Sequence, residues 1–218
     1  MSRAIPLARW VASSFVLATM LTLCAGRVNA PLTAYLLIFT GASLVTAVLT
    51  DASLEEERRK PGPDEAYPNS RRGATALFLV TVIVAALDDG RLHWTALSGL
   101  TQKVALVVLF IAAAFQVWAI AVNPFFSTAI RIQTDHGHEL VTRGPYRLIR
   151  HPGYLAMVII TPATALALGS LAALIPAVCY SAVILWRLQR EDGFLTENLA
   201  SYPEYLRSVR HRLIPGLW

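Results

Sequence analysis

Charge is what this sequence has least of. Lysine, arginine, aspartate and glutamate make up 15% of its 218 residues, where a soluble domain carries about 25%. That shortfall excludes an ordinary water-soluble enzyme, whose surface must be covered with ionised side chains. Cysteine is nearly missing as well. Cys24 and Cys179 each stand alone inside an apolar stretch, which excludes a disulfide framework and a cysteine-ligated zinc site and leaves both as small packing residues. The sequence contains no P-loop, no glycine-rich dinucleotide fingerprint, no zinc-ligand spacing and no internal repeat. The formal net charge is +5, but no soluble basic module concentrates it, so a nucleic-acid partner is discounted.

Apolar length is what the chain has instead. Hydrophobic residues reach 55%, and the runs at 8–26, 32–50, 73–88 and 103–122 approach or match the roughly 17–25 residues of a membrane crossing. A fifth region, 155–186, is too long for one crossing. Its segment "ALGSLAALIP" predicts a fold-back near Gly169-Ser170, giving a tight pair of helices. The expected fold class is therefore all-α, a polytopic transmembrane bundle of five to six spans. The first run exceeds the 7–15 apolar residues of a signal peptide, and "CAGRVNAPL" offers only a weak cleavage site, so it is expected to be retained.

Loop charges predict the orientation. With both termini on one side, sixteen of the nineteen basic residues fall on that side, and only Arg27, Arg91 and Lys103 on the other. The asymmetry places both termini in the cytoplasm, with a basic surface toward anionic head groups. Residues 1–122 read as N-terminal spans with one notable loop at 51–72, a short amphipathic helix followed by an irregular Pro-Gly-Pro connector. Residues 123–218 carry nearly all the polar punctuation. In the tail, 180–200 reads as a helix leaving the membrane. "SYPEYLRSVRHRL" reads as an amphipathic helix whose Tyr205, Val209 and Leu213 lie on the bilayer. Asn123 is expected to cap a helix end, Trp94, Trp186 and Trp218 to anchor at the interface, and His136 and His211 to face solvent.

The chemistry concentrates in "HGHELVTRGPYRLIRHPGYL". Gly144-Pro145 and Pro152-Gly153 are breakers eight residues apart, predicting two turns around a short segment. Irregular backbone at a membrane edge must be buried in protein or line a watery cavity. A site is therefore expected here, built from His138, Glu139, Tyr146, Arg150, His151 and Tyr154. Arg143 and Arg147 are read as topology residues. Further on, Arg187 and Glu191 stand four apart on one helical face, followed by Asp192. Ionisable groups at such a helix end that point into a bundle mark a substrate route.

In order, "HELV", "GPY", "RHPGY", Arg-x-x-x-Glu-Asp and a closing "IPGLW" resemble the isoprenylcysteine carboxyl methyltransferase family, membrane enzymes that use S-adenosylmethionine. "NPFFSTAIRIQTDHGH", "EERRKPGP" and "AALDDGRLHW" look like its bacterial branch. The resemblance covers about 123–218 and implies a methyltransferase core there: a cofactor loop, the paired helices and the C-terminal helices. It further implies that His138, Glu139, Leu140, Val141, Tyr146, His151, Pro152, Gly153, Tyr154 and Glu191 bind the cofactor, with Gln133 as a further contact. Arg187 would face the acceptor carboxylate, and Arg187 and Glu191 would be the catalytic pair. S-adenosylhomocysteine is the implied product, a lipophilic or prenylated molecule the acceptor, and the bacterial inner membrane the location. No metal is implied. Two other readings stay open: an NADPH-dependent membrane reductase using Arg143, Arg147 and Arg150 on a phosphate, and a transporter or scaffold without catalysis. They differ in whether the polar side chains converge.

Overall fold

The computed structural model describes residues 4–49, 65–133 and 138–216. Residues 51–64 of the expected amphipathic loop, together with His136 and Trp218, lie outside them. The helices are α1 (Ala4–Ala25), α2 (Ala30–Leu49), α3 (Pro68–Leu87), α4 (Gly99–Val122), α5 (Pro152–Ala167), α6 (Leu174–Asn198) and α7 (Tyr202–Ser208). Among the described residues, β structure is limited to one antiparallel bridge, Ala66 to Ile130.

Four stretches are long and apolar enough to cross a membrane: Pro6–Ala25, Ala30–Leu49, Pro68–Leu92 and Gly99–Val122. The outward faces agree, since Phe15 is 70% and Ile175 72% exposed, a display that water would not tolerate over so many residues. The 155–186 region does fold back. α5 ends at Ala167, Gly169 takes φ +88°, the left-handed geometry that glycine accepts without strain, and α6 returns. α5 is shorter than the four spans, and α6 is apolar only as far as Trp186, so its last three turns run beyond the membrane-spanning part.

α5 sits innermost, packed on α4, α6 and α3. Its Ala163, Ala165 and Ala167 meet Ala85, Ala86 and Ala105, small side chains that let helix backbones approach closely. At the end far from the polar stretch, a π-helical turn at Asp88–Leu92 closes α3. The fully buried Asp88 carboxylate accepts from Ser170 Oγ at 2.6 Å and from Thr95 N at 3.0 Å, tying α3 to the α5–α6 turn and to the approach to α4. Arg91 donates to the last carbonyls of α1, at Leu23 and Cys24.

Three boundaries differ from expectation. α3 starts at Pro68, not 73, because proline fits the first helical position, where its missing N–H is no loss; residues 68–72 are thus helix, not loop. Pro152-Gly153 is no turn but the start of α5, for the same reason. The helix expected over the tail shrinks to α7, and its face is buried in protein, not lipid: Tyr202, Tyr205, Val209 and Leu213 are all buried. His211 is half-buried, with its Nδ1 accepting from Gly216 N.

Replacing Asp88 with alanine strands the Thr95 and Ser170 hydroxyls beside a cavity. The expected loss is about 3 kcal/mol, the scale of bonds to a charged group, read as a lowered midpoint of thermal unfolding in detergent.

Candidate active site

The site lies where α3 begins and α4, α6 and the chain end. Asn123 caps α4 in extended conformation, its side-chain oxygen accepting from Phe125 N at 2.9 Å. The chain then crosses the bundle end as far as Gln133. Gln133 Nε2 donates back to Phe125 O at 2.9 Å, so this buried side chain braces the segment and does not line the cavity beside it. His138 docks against the brace. Its ring stacks on Phe125 at 4.6 Å, and its Nδ1 accepts from Gln133 N at 3.2 Å. That acceptor role puts the proton of the neutral ring on Nε2. Burial, with the Arg131 charge adding, lowers the His138 pKa from its ordinary value, so the ring is a neutral donor at pH 7.

One turn of 3₁₀ helix, Gly144–Arg147, presents Tyr146, whose hydroxyl accepts from Asn123 Nδ2 at 3.3 Å. His151 then caps α5. Gly153 is required by space: a Cβ there would lie 2.4 Å from the Phe126 ring.

The polar groups are held by Asp192. Its Oδ1 accepts from His151 Nε2 at 2.9 Å and from the Tyr202 hydroxyl at 2.6 Å. Its Oδ2 accepts from Arg212 Nε at 2.8 Å and lies 3.2 Å from Arg150 Nη1. Burial alone would raise this carboxyl, but the bond and charge of His151, the Tyr202 hydroxyl and Arg150 outweigh it and hold it well below the usual carboxylate range. Burial and the same carboxylate push the Tyr202 hydroxyl far up, so it stays a donor. The tail is drawn in alongside: Arg150 N donates to His211 O at 2.9 Å, His151 N to Arg212 O at 3.0 Å, and Tyr205 to Tyr146 O at 2.6 Å.

One residue earlier on α6, Glu191 accepts from the Tyr154 hydroxyl. Arg187, buried, donates to Ser70 Oγ on α3 and to Thr128 O at 2.7 Å, leaving part of its five-donor fork for a ligand.

These walls enclose a cavity of about 290 Å³, near the lower end of ligand-pocket sizes. His138, Glu139, Leu140, Val141, Tyr146, His151, Pro152, Gly153, Tyr154, Arg187 and Glu191 all line it, and Gln133 does not. The polar side chains therefore converge. Arg143 and Arg147 are exposed and outside the wall, while Arg150 is engaged with Asp192, so the three arginines expected on a phosphate do not come together there. Sequence reading missed the apolar half: Ala74 and Phe78 of α3, Phe126, Met157, and Tyr180 and Ile184 of α6. The spacing Tyr180, Ile184, Arg187, Glu191 runs along one helical face and was the available signal.

The family model for isoprenylcysteine carboxyl methyltransferases matches residues 104–197, which include most of α4, all of α5 and nearly all of α6. The chain is similar to this family over that stretch, which is less than half of its length. It is 38% identical over 90 residues to protein-S-isoprenylcysteine O-methyltransferase A of Arabidopsis thaliana, covering 38% of this chain and 44% of that one. It is 33% identical over 94 residues to a probable protein-S-isoprenylcysteine O-methyltransferase of Oryza sativa subsp. japonica, covering 40% and 47%. A longer match, 28% identical over 71% of this chain and 70% of the relative, is to the nickel-cobalt-cadmium resistance protein NccN of Alcaligenes xylosoxydans xylosoxydans. The chain thus spans less than half the length of the plant relatives. This likeness and the four helices long and apolar enough to cross a membrane support an integral membrane protein. Among the described residues, no group of three His, Cys, Asp or Glu side chains is placed to hold a metal ion.

Two substitutions probe the site. Asp192→Asn leaves Arg150 and Arg212 facing a neutral amide; the expected cost is about 3 kcal/mol, the low end for a broken buried pair because Arg212 is partly exposed. The pH dependence carries its own sign. A carboxyl held below its ordinary range contributes its full stability above about pH 4 and loses it as the pH falls further. Thermal scans between pH 5 and 3 should thus show wild type losing more stability than the variant. Gly153→Ala drives a methyl into Phe126 and should weaken S-adenosylhomocysteine binding at least tenfold in calorimetry.

Proposed function

We propose that this protein transfers a methyl group from S-adenosylmethionine to the carboxylate of a lipophilic, prenylcysteine-like acceptor. The observation that carries the reading is a single cavity with two halves. Its polar half is lined by His138, Glu139, His151 and Glu191 at the bundle end; its apolar half runs inward between α3, α5 and α6. Arg187 stands at the junction.

The donor set suits the cofactor. Glu139 and Glu191 match an ammonium or ribose hydroxyls, and the aromatic faces of Tyr146 and Tyr154 match adenine or a sulfonium. Arg150 lines the cavity with a buried Nε–H that has no partner, an open donor for a carboxylate. When bound, S-adenosylmethionine supplies a sulfonium methyl whose C–S bond breaks as an acceptor oxygen forms the new C–O bond. The chain's own task is positioning and exclusion of water. Arg187 fixes the acceptor carboxylate with the donors it has left. Tyr154 and Ser70 restrain Glu191 and Arg187 in turn. A carboxylate acceptor carries no proton to remove, so neither His138 nor His151 need act as a base.

Calorimetry with S-adenosylhomocysteine should give binding in wild type and a loss of at least tenfold, about 1.4 kcal/mol, in both Glu191→Ala and His151→Ala. Full-strength binding by either variant, or binding of reduced nicotinamide dinucleotide phosphate in its place, would overturn the reading. The orientation, with termini and site cytoplasmic at a bacterial inner membrane, rests on the sixteen-to-three distribution of basic residues. A phosphatase active only outside the cytoplasm should be silent when fused at the C-terminus and active when inserted between Arg91 and Trp94.

A further inference from the structure

The apolar half of the cavity has a floor. Phe78 and Tyr180 line it with ring centroids 6.2 Å apart. Behind Phe78, Phe39 stacks at 5.8 Å and 21°, and Tyr35 stacks on Phe39 at 5.8 Å. These four rings form a row from α2 through α3 to α6. Beneath the rings Thr81, Thr161 and Ala177 are buried and outside the cavity wall.

The depth above this floor follows from helix geometry. Arg187 and Tyr180 are both on α6, seven residues apart, and a rise of 1.5 Å per residue makes that about 10 Å. An extended chain advances about 1.2 Å per bond; the four bonds from the acceptor's carboxylate carbon to its first tail carbon take about 5 Å, so the four in-line bonds of one isoprene unit fit and the eight of two units do not. On the far side of Phe39 lies a separate apolar groove of about 160 Å³, lined by Ala42, Ala113, Val117 and Ile160 among others. The stacked Phe39–Phe78 pair partitions the two spaces.

We infer that the Phe78–Tyr180 floor sets the length of the acceptor, so that this enzyme methylates carboxylates with a short apolar tail of one isoprene unit and rejects longer ones. The inference rests on the carboxylate reading above, with the acceptor head at Arg187. Phe78 is the specificity-determining residue, because shortening it joins the cavity to the groove between α2 and α4.

The test uses the detergent-purified full chain loaded with S-adenosylhomocysteine and three N-acetylcysteine thioethers bearing one, two or three isoprene units. Binding is read by calorimetry and methyl-ester formation with S-adenosylmethionine. Wild type should bind and methylate the two-unit acceptor at least tenfold less well than the one-unit one. Phe78→Ala should bring the two within about twofold, and Ala113→Trp added to it should refill the groove and restore the discrimination. Equal handling of all lengths by wild type, as a tail escaping sideways into lipid would give, overturns the inference and leaves the methyltransferase reading standing. So does an unchanged length ratio in Phe78→Ala that still binds S-adenosylhomocysteine. Should that variant fail to fold, Phe78→Leu and the wild-type series decide. Binding of S-adenosylhomocysteine without any thioether acceptor would sink the carboxylate reading and this inference together; no S-adenosylhomocysteine binding would sink the cofactor reading itself.

Discussion

The carboxylate of Asp192 is the contact on which the arrangement of the site depends. Four segments meet around it: the end of α6 that carries it, the Arg150–His151 stretch that opens α5, α7 through Tyr202 and the tail through Arg212. A buried anion needs this many donors, since each unfilled lone pair in a low-dielectric setting is costly. The bonds therefore act as a constraint in both directions. They keep the carboxylate ionised, and they hold four otherwise independent pieces of chain at fixed distance. His151 and Tyr154 reach the cavity only because α5 starts where Asp192 places it.

A second buried carboxylate, Asp88, does the matching task at the other end of the bundle. Between the two, helix packing is carried largely by alanine, which supplies close approach but little directional information. Directional specificity thus sits at the ends and bulk packing in the middle, as suits a protein whose spans lie in a solvent as apolar as their own side chains. The cavity forms at the end where more segments converge, and there the irregular backbone of 123–133 and 138–151 is shielded from lipid.

Arg187 has a double position in this scheme. It bridges α6 to α3 and to the 123–133 segment through Ser70 and Thr128, and it lines the cavity at the boundary between polar and apolar halves. A guanidinium can do both because its five donors point in fixed, divergent directions. From there the cavity wall continues along α6 through Ile184 to Tyr180.

Much of the helical architecture was legible in the chain itself. Four apolar runs, the fold-back at Gly169-Ser170 and the polar stretch before α5 follow from hydropathy, glycine and proline placement, all local properties. Residues such as His138, His151 and Glu191 stood out because membrane insertion requires none of them. Gln133 could not be placed by local pattern: only the return of its amide to Phe125 O reveals a brace. Nor could the burial of the tail be read, since Tyr205, Val209 and Leu213 have the same spacing whether they face lipid or protein, and the tertiary bonds to Tyr146, Arg150 and His151 decide between them. The apolar half of the cavity belongs to the same class. Ala74, Phe78, Met157, Tyr180 and Ile184 look like any membrane-helix residues until three helices bring them together. Sequence alone determined which segments cross the membrane and which are polar, because transfer free energy is a sum over neighbouring residues. Only the tertiary structure decided which groups face one another, because that depends on contacts between residues as far apart as the 117 positions that separate Ser70 from Arg187.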